Sequence, residues 1–278
     1  MSNFLQRDIL QKVKSPIKES LRRYIRWRYN GSVLSRNYLG HYQIHFPGDG
    51  FLNFFLKHQI QPDPSLGYVV KKYLKPDSFV IDVGANIGLS VCLSAAQLNP
   101  NAGRILALEP SALPRRFLKA NTLLNHLSFV EILPLGAGAA PQKLELYSHA
   151  CDGNRSSSIL QDYVVEGAAS TETIELTTLD ALIETRGIPN LIKIDVEGFE
   201  LDVLDGLDLK NIQAQTVIFI EVRHATVTTV IQRLSDANYN CRLIVNQQEV
   251  EVNQSLLDQL LYDNLAVTDI LAVPKTIQ

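Results

Sequence analysis

Cysteine is scarce in this chain. Cys92, Cys151 and Cys241 stand far apart among 278 residues, with no C-x-x-C pair. A disulfide framework or a thiolate zinc cluster is therefore not expected, and a reducing cytoplasm is the natural compartment. Long apolar runs are missing too: no stretch of 18 or more occurs, which argues against a membrane-spanning helix. Arg7, Asp8, Lys12 and Lys14 break up the first apolar residues, which speaks against a secretory signal. Repeats and low-complexity tracts are absent. What remains is ordinary for a soluble globular protein, and 46% hydrophobic with 20% charged residues excludes disorder over most of the length. A fold of this size buries roughly three quarters of the surface its unfolded chain exposes, so it needs no covalent or metal staple.

Charge is small overall but unevenly placed. Residues 1–40 hold nine Lys/Arg against Asp8 and Glu19, a net of +7, which leaves −10 on the other 238. A body that acidic does not attract nucleic acid without a local basic patch. In the basic part, Leu5, Ile9, Val13, Ile17, Leu21 and Ile25 recur every four residues as in a helix, with Pro16 as a break. Arg22, Arg23, Arg26 and Arg28 lie between, interleaved with Trp27 and Tyr29. Two readings follow: a cap helix with a solvated basic face, or a surface-seeking helix making peripheral membrane contact through residues 1–30. A link rich in Gly, Pro and aromatics spans 40–64; within it 41–46 alternates like a strand and 47–50 reads as a turn. The chain thus divides into a basic helical extension and linker, 1–65, and a domain, 66–278.

In the domain, strands alternate with helices. Strands are expected at 78–83, 104–109, 128–133, 191–195 and 216–221, with helices at 88–98 and 111–126. Segments 142–147 and 172–177 alternate like antiparallel strands or an inserted hairpin, and late strands fall at 241–245 and 267–273. This alternation predicts an α/β fold, a doubly wound, mostly parallel sheet with helices on both faces. Ligands of such sheets sit beyond the carboxyl ends of the strands.

The residues at those ends carry the chemistry. The first strand runs into Ile81-Asp82-Val83-Gly84-Ala85-Asn86-Ile87-Gly88. Gly84 and Gly88 let backbone approach a ligand closely, and the helix after Gly88 offers free N–H groups. A dinucleotide fingerprint needs glycine at the first, third and sixth positions; here these are Gly84, Asn86 and Leu89, and two fail. Asp82 would repel a pyrophosphate but suits a ligand bearing an ammonium and no phosphate, the makeup of S-adenosylmethionine (SAM). Glu109 ends the second strand, where a carboxylate accepts both ribose hydroxyls. Small residues at Gly136, Ala137 and Gly138 leave room for adenine, or form a plain turn before Pro141. The fourth strand gives Leu191-Ile192-Lys193-Ile194-Asp195-Val196-Glu197-Gly198-Phe199-Glu200. Asp195 belongs at the strand tip beside the transferred methyl, Glu197 and Gly198 in the turn, and Glu200 at a helix start that favours acids. Glu221 ends the fifth strand, so Asp195 and Glu221 together offer a Mg2+ site or a hold on a hydroxyl. His224 is the candidate base, or a hydrogen-bonded surface residue; His149 is the alternative base. The polar stretch 151–158 closes over a polyhydroxylated acceptor, or is an ordinary loop.

These residues together resemble the FkbM family of SAM-dependent methyltransferases. The resemblance rests on 81–88, on Glu109-Pro110, on 191–200 and on Asp269-Ile270-Leu271-Ala272-Val273-Pro274, and covers roughly 66–275. The first motif marks class I methyltransferases in general, and the 191–200 segment narrows the match. It implies a seven-stranded sheet whose last strand is antiparallel, and O-methylation of a hydroxyl on a sugar, glycan or secondary metabolite. Asp82, Gly84, Asn86, Gly88, Glu109, Ala137 and Asp195 are then expected to hold SAM. His224, Asp195 and Glu221 are expected to act on a small-molecule or glycan acceptor. Two rivals stand beside this reading: a non-catalytic SAM-fold module recruited by the basic helix, and a nicotinamide-dependent oxidoreductase, which the glycine spacing disfavours.

Overall fold

A computed structural model describes residues 33–47, 62–148, 170–262 and 267–276. The helix expected in the first thirty residues, His149 and the 151–158 stretch lie outside them. Among the described residues no helix is long and apolar enough to cross a membrane.

Strands β1 (Val33–Tyr38) and β2 (Tyr42–Pro47) form an antiparallel hairpin. Their alternation turns Tyr38, Tyr42, Ile44 and Phe46 into the core. Helix α1 (Pro64–Tyr73) follows; the Asp63 carboxylate accepts from Ser65 N at 2.7 Å and Leu66 N at 3.1 Å, and Pro64 opens the helix where no donor is missed. Then come β3 (Phe79–Val83), α2 (Leu89–Ala95), β4 (Arg104–Leu108), α3 (Ala112–Leu124) and β5 (Val130–Leu133). Short strands β6 (Leu135–Ala137), β7 (Gln142–Ser148) and β8 (Ser170–Thr177) make a separate three-stranded sheet. The chain returns through α4 (Leu179–Arg186), β9 (Leu191–Ile194), α5 (Glu200–Asp205), α6 (Leu209–Ile212) and β10 (Val217–Arg223). It ends with α7 (Val227–Asp236), β11 (Tyr239–Val245), β12 (Gln248–Glu251), α8 (Gln254–Tyr262) and β13 (Val267–Pro274).

The main sheet has the order β12-β11-β13-β10-β9-β3-β4-β5. Its middle is parallel, and β13 runs antiparallel to both β10 and β11. The doubly wound α/β architecture is therefore present, with eight strands rather than seven. The extra strand, β12, folds back on β11 through Asn246 and Gln247, both at positive φ (52° and 60°). Left-handed angles at both central positions suit a two-residue hairpin, but the usual glycine signal is missing from the sequence.

Apolar strands bury both faces of the sheet. Phe79, Ile81 and Val83 pack on one side with Ile192 and Ile194. Val80 and Leu191 pack on the other, against α1, α2 and the hairpin. Two asparagines of α3 pin the hairpin: Asn121 Oδ1 accepts from His45 N and Asn125 Oδ1 from Gln43 N, each at 2.7 Å. Their amides donate back to His45 O and Gln43 O. Each side chain thus mimics a neighbouring strand and covers the edge of β2.

Candidate active site

The chain leaves β3 toward β4 on one side and reaches β9 on the other, so the carboxyl ends of β3 and β9 mark the switch point. Two cavities meet there, of about 230 and 400 Å3, sharing Gly84, Asn86, Asp195 and Glu221 in their walls. Together they form one trough of the size that holds a small ligand, roughly 300–1,000 Å3. One half is a slot between Pro110, Ala137, Ile174, Leu176 and Phe199, with Glu109 in its wall. The other half is faced by Tyr38, Asp63, Ser90 and Lys193.

Asp82 lines neither half. It is 1% exposed and stands opposite Lys193 in the β3–β9 register. Lys193 Nζ lies 3.3 Å from Asp82 Oδ1, 3.3 Å from Asp195 Oδ2, and donates to Gly84 O at 3.0 Å. The Asp82 contact is an electrostatic one without hydrogen-bond alignment, and Ser90 Oγ donates to the other carboxylate oxygen. Burial opposes the Lys193 charge, but Asp195 and Asp82 outweigh it and hold the ammonium above its usual pKa. Asp82, expected to meet a ligand's ammonium, has an internal counter-ion in Lys193, and Asp195 presents its carboxylate to the trough.

The glycines also have a packing role. A Cβ on Gly84 (φ +79°) would fall 2.0 Å from Asp195 O, and one on Gly88 (φ +95°) 2.7 Å from Leu118 Cδ1. Gly84 lets β3 close against β9, and Gly88 lets α2 close against α3. Gly84 still lines the trough, whereas Gly88 does not. Asn86, at φ +51°, donates its N–H to Glu109 Oε2 at 2.8 Å, and its buried Oδ1 has no hydrogen-bond partner. Ser111 N donates to Glu109 Oε1 at 2.9 Å. Burial pushes the Glu109 carboxyl up to about 7, against the pull of those two N–H groups.

Beyond the sheet's edge lies a row of acids. Asp195 follows β9, Glu221 sits on β10, and Asp269 faces Glu221 on β13. Glu197, at φ +52°, adds a fourth carboxylate, and oxygens of Asp195, Glu197 and Glu221 lie within 4.8 Å of one another. Asp195 is paired with Lys193, and Glu197 with Arg223 at 2.9 Å. Burial, then the charges of Asp195, Asp269 and Glu197, push Glu221 up to about 8. Burial, then Asp63 and Asp195, push Asp269 up to about 7. Glu200 does more than complement a helix dipole: it is buried, and its Oε1 accepts from Gly198 N at 2.7 Å, bracing this turn.

These shifts have a sign. Glu109, Glu221 and Asp269 hold protons in the folded state that the unfolded chain releases near pH 4–4.5. The stability these three groups contribute is therefore full below that range and is lost as pH rises through about 7–8. The melting temperature of unliganded protein is expected to drop by about 5 °C or more between pH 6 and 8.5. A flat or rising profile in a thermal scan contradicts this.

His224, the candidate base, stands apart from the two halves of the trough. Strand β10 continues to Arg223, which still pairs with Val267. His224 is thereby carried past the rim into a turn and lines neither half of the trough. Sequence reasoning assigned Lys193 no role, although a lysine inside Leu191-Ile192-Lys193-Ile194 is itself a signal, because a buried charge demands a partner. Tyr38 and Asp63 reach the site from distant segments with no local signal, and Asp269, quoted in the closing motif without a role, borders it opposite Glu221.

The Methyltransferase FkbM domain matches residues 82–241. The hexuronic acid methyltransferase AglP of Haloferax volcanii is 27% identical over 60% of this chain and 65% of its own length. The AMB antimetabolite synthetase AmbE of Pseudomonas aeruginosa is 31% identical over 54% of this chain and 8% of its own. The chain thus spans less than two thirds of these curated relatives. Among solved structures, the methyltransferase FkbM from Methylobacillus flagellatus KT aligns with a TM-score of 0.45 and 18% identity, over 72% of this chain and 44% of that one. M. jannaschii TYW2 in complex with AdoMet aligns at 0.42 and 12%, over 86% and 84%. With the family domain extending over more than half of its residues, this chain belongs to the FkbM methyltransferase family.

Proposed function

We propose that this chain transfers the methyl group of SAM to a hydroxyl of a sugar, glycan or secondary metabolite. The observation that carries the cofactor is the polarity of the trough. The slot half is lined by the carboxyl groups of Glu109, Asp195, Glu197 and Glu221 and, among the described residues, by no lysine or arginine, a wall without the cations that a diphosphate calls for and suited to a cationic nucleoside. The donor set fits the pieces of SAM. Glu109, fixed by two backbone N–H groups, keeps acceptor capacity for a ribose diol, and the slot around Ala137 suits a flat base. Asp195 faces a positive charge.

Bound there, SAM supplies a methyl group on a sulfonium centre that leaves without needing a proton. The protein's remaining work is to orient the acceptor oxygen and remove its proton. Glu221 is suited to that: it lines both halves of the trough, and a pKa of about 8 makes its carboxylate a competent base near neutrality. The relative described as a hexuronic acid methyltransferase supports a carbohydrate acceptor.

The test is binding. SAM is expected to raise the melting temperature and NAD(P)H to leave it unchanged. Glu109→Gln keeps the shape but loses one acceptor position, and is expected to weaken S-adenosylhomocysteine about tenfold by calorimetry. Stabilisation by NAD(P)H without SAM, or full affinity in Glu109→Gln, overturns the reading.

A further inference from the structure

Outside the family-matched segment 82–241, the N-terminal hairpin sends one side chain to the trough. Tyr38, the last residue of β1, is 2% exposed, yet it lines the half that also contains Asp63, Asn86, Lys193 and Asp195. Its hydroxyl has no hydrogen-bond partner among the described residues. A phenol this deeply placed normally finds a partner, so an unpaired one in a cavity wall points to an acceptor brought by a ligand. The ring is held firmly, since Tyr42, Ile44 and Phe46 of the same hairpin are buried and Asn121 and Asn125 pin its outer edge. Burial, then the charges of Cys92 and Asp63, keep the phenol protonated well above neutral pH, so it is a donor wherever the enzyme works.

The polar groups around Tyr38 come in two kinds. The same half of the trough holds a donor hydroxyl and the Lys193 charge together with the carboxylates of Asp63 and Asp195, the last 3.3 Å from Lys193 Nζ. Such a mixed set offers partners to both ends of a zwitterion. We propose that the Tyr38 hydroxyl receives the α-carboxylate of the cofactor's amino-acid end, in the half of the trough that Lys193 also lines, while Asp63 and Asp195 face its ammonium. The hairpin is then a working wall of the binding site. This rests on the reading of the cofactor as SAM.

Two thioether nucleosides separate the possibilities: S-adenosylhomocysteine, which carries the amino-acid end, and 5′-methylthioadenosine, which lacks it. Tyr38→Phe keeps the ring in the core. It is expected to weaken S-adenosylhomocysteine roughly 10- to 100-fold by calorimetry while leaving 5′-methylthioadenosine unchanged. Without ligand it should melt close to the wild-type temperature, since the ring stays in the core and only a hydroxyl in the trough wall is removed. Equal S-adenosylhomocysteine affinity in the two proteins overturns the Tyr38 assignment alone, as does an equal loss for both ligands. Failure of the wild type to bind S-adenosylhomocysteine overturns the cofactor reading, and this assignment with it.

Discussion

Lys193→Met is expected to cost about 3–5 kcal/mol of stability, the usual penalty for breaking a buried ion pair from one side. The methionine has the length and apolar stem to fill the space, so packing changes little. What changes is charge. Asp82, 1% exposed, loses the ammonium 3.3 Å away and keeps only the Ser90 hydroxyl on its other oxygen. Gly84 O loses its donor, and Asp195 loses the cation that offsets it beside Glu221. For a chain of this size the melting temperature should fall by roughly 10 °C. The double variant Asp82→Asn/Lys193→Met removes both charges together and should recover most of that loss. A single variant melting within about 2 °C of the wild type, or a double variant no better than the single, would show that the pair carries little.

Glu221→Gln should leave the fold in place and reduce turnover by roughly 10²–10⁴-fold, the range lost with a positioned base. The substitution is close to isosteric, and it relieves repulsion from Asp195, Asp269 and Glu197. Its melting temperature should therefore equal or exceed the wild type's at pH 8. In the wild type, kcat/KM should climb with pH toward about 8, where the Glu221 carboxyl gives up its proton, and then level off. The variant should lose that limb. A chelator arm separates the base from a cation held by the three carboxylates: activity is expected to persist in EDTA, and its collapse would move the acceptor's activation to a metal at Asp195, Glu197 and Glu221. A variant retaining more than about a tenth of wild-type turnover, with the same pH profile, removes Glu221 from the chemistry.

Much of this arrangement was legible from residue order. Parallel strands buried on both faces are mostly apolar, so Phe79–Val83, Leu191–Ile194 and Val217–Arg223 announce themselves, and the acids at their ends mark one edge of the sheet. Glu109, Asp195 and Glu221 were found by that rule alone, because strand direction fixes where a strand's last residue points. The Asn246-Gln247 hairpin escaped notice because side chains, not glycines, occupy its left-handed positions.

Other assignments required the third dimension. Asp82 reads as a ligand contact until β9 is set beside β3 and the register places Lys193 across from it. Gly84 reads as space for a ligand until the Asp195 backbone is seen to fill that space. The two extra residues of β10 carry His224 beyond the rim. Tyr38, Asp63 and Asp269 come to the trough or its border from segments far away in the chain. Local sequence thus determined the strands, their apolar faces and the acids at their tips, since those depend on neighbours along the chain. Which charges neutralise one another inside and which face the ligand was decided by packing, because electrostatic energy follows distance in space and not separation in sequence.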